Sequence, residues 1–177
     1  KNAIKVAKTN AKLHQLENKI NFINIDIDKY KSYNYDLIIS NPPYINSIEL
    51  NRLDDDIKFH EPMLALSGGL DGFKYLKKVI IKSKKLLKIN GKLILEIGHC
   101  QKNKCSKILK ENGYYINRIS KDLSGKERCI VSTKLQWWIT SKIITEEVVL
   151  NQMEIGVLEE TEMDISRMVI LVTDPLL

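Results

Sequence analysis

Short apolar runs alternate with helix-forming segments through the first 134 residues, and this alternation limits the fold more than any other feature of the chain. Three runs rich in aliphatic and β-branched residues are predicted to be buried strands: residues 20–27, 35–40 and 92–98. Three segments with apolar residues at helical spacing are predicted to be amphipathic helices: residues 1–16, 72–89 and 103–112. Strands that alternate with helices in this way predict an α/β fold with a mostly parallel sheet.

Turn-forming residues mark the ends of several of these elements. Asp71 is expected to cap the start of the second helix, and residues 90–91 (Asn-Gly) are expected to end it. Residues 114–120 and 128–134 are predicted to pair as a hairpin at the end of the sheet. The long stretch at residues 46–70 shows no regular periodicity, so it is expected to be an irregular segment.

The strand at residues 35–40 ends in a rigid tetrapeptide, Asn-Pro-Pro-Tyr. Pro42 and Pro43 each fix their own φ angle and restrict the residue before them, so the loop is expected to be stiff. It would present the side-chain oxygen of Asn41 and the backbone carbonyl of Pro42 as acceptors, with the flat ring of Tyr44 beside them. In open α/β sheets ligands bind at the carboxyl ends of strands, which is where this loop is placed.

Two acceptors beside an aromatic face suit a planar group that carries an –NH2, because both N–H bonds can be satisfied in the plane of the ring. The predicted chemistry is alkylation of a nitrogen through orientation and electrostatics. No strong base is needed before the attack, since the proton can leave afterwards. The alternative is a rigid connection between strand and loop that has no chemical role.

Composition bears on other classes of protein. No apolar run approaches the roughly 20 residues that span a bilayer. The three cysteines include no Cys-x-x-Cys pair, so reduced thiols in the cytoplasm or an organelle matrix are expected, and no metal site. The net charge of +6 arises in the body of the chain, because the stretch beyond residue 134 is acidic. The basic charge of residues 1–134 is compatible with a polyanionic partner such as ribosomal RNA.

Longer stretches around the tetrapeptide resemble one family. The segments "NPPYI", "HEPMLALSGGLDGFKYLKKVI", "LILEIGHCQ" and "DLSGKERCIV" are similar to the HemK/PrmC-type release factor N5-glutamine methyltransferases. These class I enzymes use S-adenosylmethionine to methylate the glutamine of the Gly-Gly-Gln motif in peptide-chain release factors. The resemblance runs from residue 1 to about residue 134. It implies an incomplete Rossmann-like fold, with a mostly parallel sheet, a C-terminal antiparallel hairpin, and the family's strands 1 and 2 missing.

The resemblance also implies roles for the residues of the tetrapeptide. The clamp for the side-chain amide of the substrate glutamine would consist of Asn41, Pro42, Pro43 and Tyr44. Asn41 would also lie next to the methyl donor. Residues 61–72, with their paired glycines, resemble the loop that shapes the substrate side of the family's site.

S-adenosylmethionine is the cofactor that the resemblance implies, with Asp26, Ile27 and Asn41 as its contacts. Asp26 and Ile27 would lie near the adenine, although the family often has Trp where this chain has Ile27. The family's Gly-rich loop and its ribose-binding acid have no counterpart in the sequence, so a truncated, weakly active or inactive form is expected. Without their family neighbours, the strands at residues 20–27 and 35–40 are expected to expose apolar edges.

The chain is therefore predicted to comprise a partial methyltransferase domain at residues 1–134 and an acidic tail of unknown origin at residues 135–177. The run "RMVILVTD" in the tail is compatible with a strand. Trp137 and Trp138 are expected to pack against apolar groups rather than stack on bases. His60 beside Glu61 could be read as an acid/base couple, but loop structure is the favoured interpretation.

Three functional hypotheses remain open on the sequence. The first is methylation of release factors, with no membrane partner and nucleic acid involved only indirectly if at all. The second is methylation of an amino group in nucleic acid, either DNA adenine or ribosomal RNA, which only the basic body favours. The third is a non-catalytic remnant that binds protein through its exposed loop and tail.

Overall fold

The computed structural model describes four parts of the chain: residues 2–54, 56–57, 62–136 and 168–171. The hypotheses for His60, Glu61, Trp137 and Trp138 lie outside the described residues, as does most of the tail. The predicted boundary between the two parts of the chain at residue 134 therefore stays a prediction.

A five-stranded sheet forms the centre of the described structure. Its strands are β1 (Tyr35–Ser40), β2 (Leu87–Glu96), β3 (Tyr114–Lys121), β4 (Glu127–Lys134) and β5 (Met168–Leu171). They lie in the order β3-β4-β2-β1-β5. β1 runs parallel to both β2 and β5, whereas β4 runs antiparallel to β2 and β3. The α/β fold, with a parallel part and a terminal antiparallel hairpin, is confirmed.

Helices connect and cover the strands. They are α1 (Asn2–Leu13), α2 (Ser47–Asn51), α3 (Met63–Leu66), α4 (Lys74–Leu86) and α5 (Lys102–Glu111). α4 buries a stripe of residues three or four positions apart, which is the spacing of one helix face: Leu76, Val79, Ile80, Ser83 and Leu86. The core joins this stripe to buried side chains of the sheet and of α5.

The prediction of a strand at residues 20–27 was wrong, because residues 20–26 have no regular structure. Three of the isoleucines there are between 39% and 48% exposed: Ile20, Ile23 and Ile25. A strand is stable only when its backbone N–H and C=O groups pair with a neighbour. No described strand lies beside this segment, so its β-branched composition does not produce a ladder.

The second helix also ends earlier than predicted. α4 stops at Leu86, and Leu87 already has an extended backbone that begins β2. Asn90, with φ of +65°, and Gly91 lie inside β2 rather than after a helix. Leu87 is only 3% exposed and is opposite Tyr35 in β1, so pairing and burial outweigh continuation of the helix. The helix starts at Lys74 rather than directly after Asp71.

The expectation that β1 exposes an apolar edge was wrong as well. On the side away from β2, β1 pairs in parallel with β5, from Leu37 opposite Met168 to Ser40 opposite Leu171. A buried strand with unpaired N–H and C=O groups offers a ready template for another apolar segment. The short run Met-Val-Ile-Leu in the acidic tail takes that position.

Candidate functional site

The tetrapeptide at residues 41–44, named here the 41–44 loop, follows β1 directly at its carboxyl end. Pro42 and Pro43 are buried, and Pro42 is among the side chains less than 2% exposed. Asn41 is exposed, and its side-chain amide makes no hydrogen bond to any residue that the structure describes. The buried prolines therefore hold a stiff loop in place and leave the Asn41 amide available to a ligand.

Tyr44 is half-buried and held through its hydroxyl. Its Oη donates a hydrogen bond to Oε1 of Glu96, at the end of β2, over 3.1 Å. Burial raises the pKa of Tyr44, and the charge and hydrogen bond of Glu96 raise it further, whereas Arg128 acts in the opposite direction. The phenol is thus protonated at neutral pH and acts as a donor, which holds the hydroxyl end of the ring in place.

A second segment, residues 66–72 and named here the glycine segment, packs against the backbone just after the loop. Ile45 donates its N–H to the carbonyl of Leu66 at 3.1 Å, and Gly68 donates its N–H to the carbonyl of Ile45 at 2.8 Å. The approach is too close for side chains: a Cβ on Gly68 would lie 2.8 Å from the Tyr44 Cα. A Cβ on Gly72 would lie 2.4 Å from the Tyr44 carbonyl oxygen. Glycine at these two positions therefore admits the close contact between the two backbones, whereas a role in shaping the substrate side stays a prediction.

One side chain joins the loop, the glycine segment and the end of β2. Gln101 donates from Nε2 to the Tyr44 carbonyl at 2.9 Å and to the Gly72 carbonyl at 3.3 Å. Its Oε1 accepts the N–H of Gly98 at 2.9 Å. The side chain is 9% exposed, so these bonds are made away from bulk water.

The chain leaves the loop through a capped helix. The side chain of Asn46 accepts hydrogen bonds from the N–H groups of Ile48 and Glu49, at 3.0 and 2.9 Å, as an N-cap of α2. The direction of the chain is therefore set on both sides of the loop, by β1 before it and by this cap after it.

The residues predicted to contact adenine have partners of their own. Asp26 accepts the N–H of Asp28 at 2.7 Å and a hydrogen bond from Nζ of Lys78 at 3.1 Å. The backbone hydrogen bond from Asp28, followed by Lys78, lowers the pKa of Asp26. Ile27 is 9% exposed and belongs to the core. Among the described residues, no hydrogen bond or ion pair joins either residue to the 41–44 loop, so their role toward a cofactor stays a prediction.

Two contributors to the site were missed from the sequence, Glu96 and Gln101. Glu96 is the last residue of β2, the strand beside β1, and Gln101 lies in the stretch that follows it. Polar side chains at the carboxyl ends of two neighbouring parallel strands meet at one edge of a sheet, and that signal could have identified them. Among the described residues, no group of three or more His, Cys, Asp or Glu side chains is arranged to hold a metal ion. Nor does a helix in the described ranges have the length and apolar character that crossing a membrane requires.

Comparison with known proteins places these features in a wider group. Residues 1–64, which include the 41–44 loop, match a family model described as an RMKL-like methyltransferase domain. Over 135 residues the chain is 34% identical to a release factor glutamine methyltransferase of Clostridium acetobutylicum, covering 75% of this chain and 47% of that protein. It is 40% identical over 134 residues to a protein of the same name from Fusobacterium nucleatum, covering 75% and 38%.

Two further matches cover a smaller share of the compared protein. A bifunctional methyltransferase of Rickettsia bellii is 37% identical over 135 residues, with 76% of this chain and 24% of that protein covered. A solved structure of TrmN from Thermus thermophilus superposes with a TM-score of 0.47 and 16% identity, over 75% of this chain and 33% of that one.

The chain spans less than half the length of the curated relatives it matches. The similarity nevertheless covers three quarters of the chain itself at 34% and 40% identity. It agrees with the α/β sheet and with the rigid loop at the end of β1. Over three quarters of its length the chain is thus similar to the release factor glutamine methyltransferases, and its described residues form an α/β sheet with the rigid loop at the end of β1.

Proposed function

We propose that the protein methylates the side-chain amide nitrogen of the glutamine in the Gly-Gly-Gln motif of peptide-chain release factors, with S-adenosylmethionine as methyl donor. One observation carries the proposal: a stiff loop at the carboxyl end of β1 leaves the Asn41 amide exposed and without a partner among the described residues. The names of the relatives support the choice of substrate.

The loop would act on the substrate by holding its amide group in one plane. The Asn41 side-chain oxygen and the Pro42 carbonyl would each accept one N–H of the glutamine amide, and the Tyr44 ring would lie beside them. Hydrogen bonds that draw the two hydrogens toward these acceptors leave the nitrogen lone pair directed at an electrophile. The gain in rate would come from orientation and electrostatics: the donor's C–S bond would break as the C–N bond forms, S-adenosylhomocysteine would leave, and the proton would then pass to water.

When bound, S-adenosylmethionine supplies an electrophilic methyl group. The described residues fit this group in part. The Asn41 amide, which bonds to no described residue, directly follows β1, where ligands of such sheets bind. The Asp26 carboxylate is engaged by Lys78 at 3.1 Å, so a contact from Asp26 to the adenine would have to share that carboxylate. We propose that Asn41 lies next to the methyl donor, and that Asp26 and Ile27 contact its adenine.

Transfer of a labelled methyl group from S-adenosylmethionine tests this proposal against methylation of nucleic acid. Three acceptors are offered to the chain: a release factor, ribosomal RNA and duplex DNA. The release factor should be labelled, and Asn41→Ala should reduce the rate by about 100-fold, as expected for the loss of one preorganised hydrogen bond in a site.

The matched control is Asn103→Ala, which removes the amide of an exposed asparagine on α5. This variant should label the release factor at the rate of the unchanged protein. Label found only on RNA or DNA would contradict the proposed substrate. Equal rates for the two alanine variants would contradict the role of the 41–44 loop.

A further inference from the structure

Gln101 uses its amide group in a way that its position in the helix does not require. The residue occupies the N-cap position of α5, yet its side chain makes no capping hydrogen bond to that helix. Its backbone N–H is already bonded to the carbonyl of Gly98 at 2.9 Å. The side chain is therefore free of a role in starting the helix, and it turns toward the 41–44 loop and the glycine segment instead.

The pattern of its three hydrogen bonds specifies an amide. Nε2 supplies two N–H groups to the carbonyls of Tyr44 and Gly72, while Oε1 accepts the N–H of Gly98. A carboxylate of the same shape would face two carbonyl oxygens without a proton to donate. An apolar side chain of the same length would leave three polar groups, one buried and two partly buried, without these partners. Only an amide of this length satisfies all three.

The bond to the Tyr44 carbonyl is the one that bears on chemistry. Tyr44 is held at its ring by Glu96 and at its carbonyl by Gln101, so the last residue of the loop has little freedom. Since Pro42 and Pro43 transmit that restraint along a stiff backbone, the orientation of Asn41 depends on it.

We propose that Gln101 is a positioning residue, which holds the 41–44 loop in the geometry that the substrate amide requires. The inference rests on the proposed function for its catalytic consequence, although the restraint on the loop can be measured without activity. Two variants separate the contributions of the shape, the acceptor and the donors of the Gln101 side chain. Gln101→Glu keeps the shape and the acceptor for Gly98, and Gln101→Met keeps the shape alone.

Hydrogen exchange provides the readout that does not depend on turnover. The N–H groups of Ile45 and Gly68 bond across the loop and the glycine segment, and Ile97 bonds to Arg128 between β2 and β4. In both variants the exchange of Ile45 and Gly68 should accelerate by about tenfold, the size expected when net hydrogen bonds of this kind are lost. Exchange of Ile97 should change by less than about twofold.

Ser132→Ala is the matched control, because it removes a buried hydrogen bond, to the carbonyl of Leu93 at 3.2 Å, that does not involve the loop. It should leave the exchange of Ile45 and Gly68 unchanged. Equal acceleration at Ile45 and Ile97 in the Gln101 variants would show that Gln101 stabilises the fold as a whole, and it would overturn the proposal. Unchanged exchange at Ile45 would overturn it too.

Kinetics then connect the restraint to catalysis. In both Gln101 variants kcat for methyl transfer should fall by at least tenfold while the KM for S-adenosylmethionine stays within about twofold. A rise in KM at constant kcat would contradict a positioning role. Absence of transfer by the unchanged protein would refute the proposed function instead, and local acceleration of exchange would still establish the restraint on the loop.

Discussion

Gly72 and Gly125 have the same backbone conformation, with φ of +76° at both, but different surroundings. A Cβ on Gly72 would lie 2.4 Å from the Tyr44 carbonyl oxygen and 2.7 Å from Nε2 of Gln101. A Cβ on Gly125 would meet no atom within 4 Å. The pair therefore separates the cost of a left-handed backbone from the cost of moving the 41–44 loop.

We expect Gly125→Ala to lower the free energy of unfolding by about 1 kcal/mol, the cost of a side chain in the left-handed region. Gly72→Ala carries the same cost and a backbone clash, so it should lower that free energy by about 3 kcal/mol. It should also reduce methyl transfer. Urea unfolding and the labelling assay check both values. Equal losses of unfolding free energy in the two variants would show that a side chain at position 72 does not displace the loop.

The residues of this site differ in how far the sequence predicts them. The stiffness of the 41–44 loop is local, since each proline restricts itself and its neighbour, and it is readable from four letters. Glu96 and Gln101 reach the loop only because β2 lies beside β1 and the chain turns into α5 after it. Contacts of that kind depend on tertiary packing, which no short motif encodes.

Among the elements, α4 is tied to the segment after residue 25 by two lysines, of which Lys82 donates to the Asp28 carbonyl at 3.0 Å. Lys78 lies 3.1 Å from an oxygen of Asp26 and 2.8 Å from an oxygen of Asp28. The side chains of Lys78 and Asp26 are 27% and 26% exposed, so water screens their interaction only in part. The pair anchors an otherwise irregular segment to the helix that covers the sheet.

The pH dependence of this anchor follows from the pKa of each partner. The pKa of Asp26 is lowered by the Asp28 N–H and by Lys78, so its contribution to stability is present above about pH 4 and is lost as the pH falls further. The pKa of Lys78 is raised, chiefly by its hydrogen bond to Asp28, so its contribution is lost only at strongly alkaline pH.

Lys78→Met should therefore lower the free energy of unfolding by about 1 kcal/mol at pH 7. The difference from the unchanged protein should shrink as the pH falls from 4 toward 2, because the contribution of Asp26, whose pKa is lowered, is lost over the acid range. Lys107→Met is the control, because its ion pair with Glu111 spans 3.9 Å between largely exposed side chains. Thermal unfolding across pH checks the comparison. A deficit in Lys78→Met that persists at pH 2 would assign the effect to packing.

Elements whose partners are near in sequence were predicted well. The hairpin of β3 and β4 and helix α5 lie within about two residues of their predicted positions, because a turn or a stretch of local periodicity specifies each. The segment at residues 20–27 was predicted from composition alone. Whether such a run becomes a strand depends on a neighbour that its own residues do not supply.

On the scale of the whole molecule, a strand from the acidic tail completes the sheet. β5 covers the edge of β1 that β2 leaves open, in parallel register over four residue pairs. The order β3-β4-β2-β1-β5 thus places β1, which ends in the 41–44 loop, between two neighbours. A strand with neighbours on both sides is a firmer support for the loop than an edge strand would be.

Breaking β5 should therefore destabilise the sheet and expose β1. Ile170→Pro fixes φ and removes a backbone donor within β5, so we expect the unfolding midpoint to fall by roughly 5 °C and aggregation to increase. The control is Ile155→Pro, which adds a proline to the tail at a position outside the described residues and outside the β1–β5 pairing. Light scattering during thermal unfolding checks both variants. Equal behaviour of the two would show that β5 does not protect the edge of β1.

The central claim, that the 41–44 loop receives a glutamine side-chain amide, is tested most directly by nuclear magnetic resonance of the Asn41 side chain. Two peptides are titrated in the presence of S-adenosylhomocysteine, one containing Gly-Gly-Gln and one containing Gly-Gly-Glu. We predict that the glutamine peptide shifts the Asn41 side-chain amide and the Tyr44 ring signals, and that the glutamate peptide does not. Equal shifts with both peptides, or none with either, would contradict the claim.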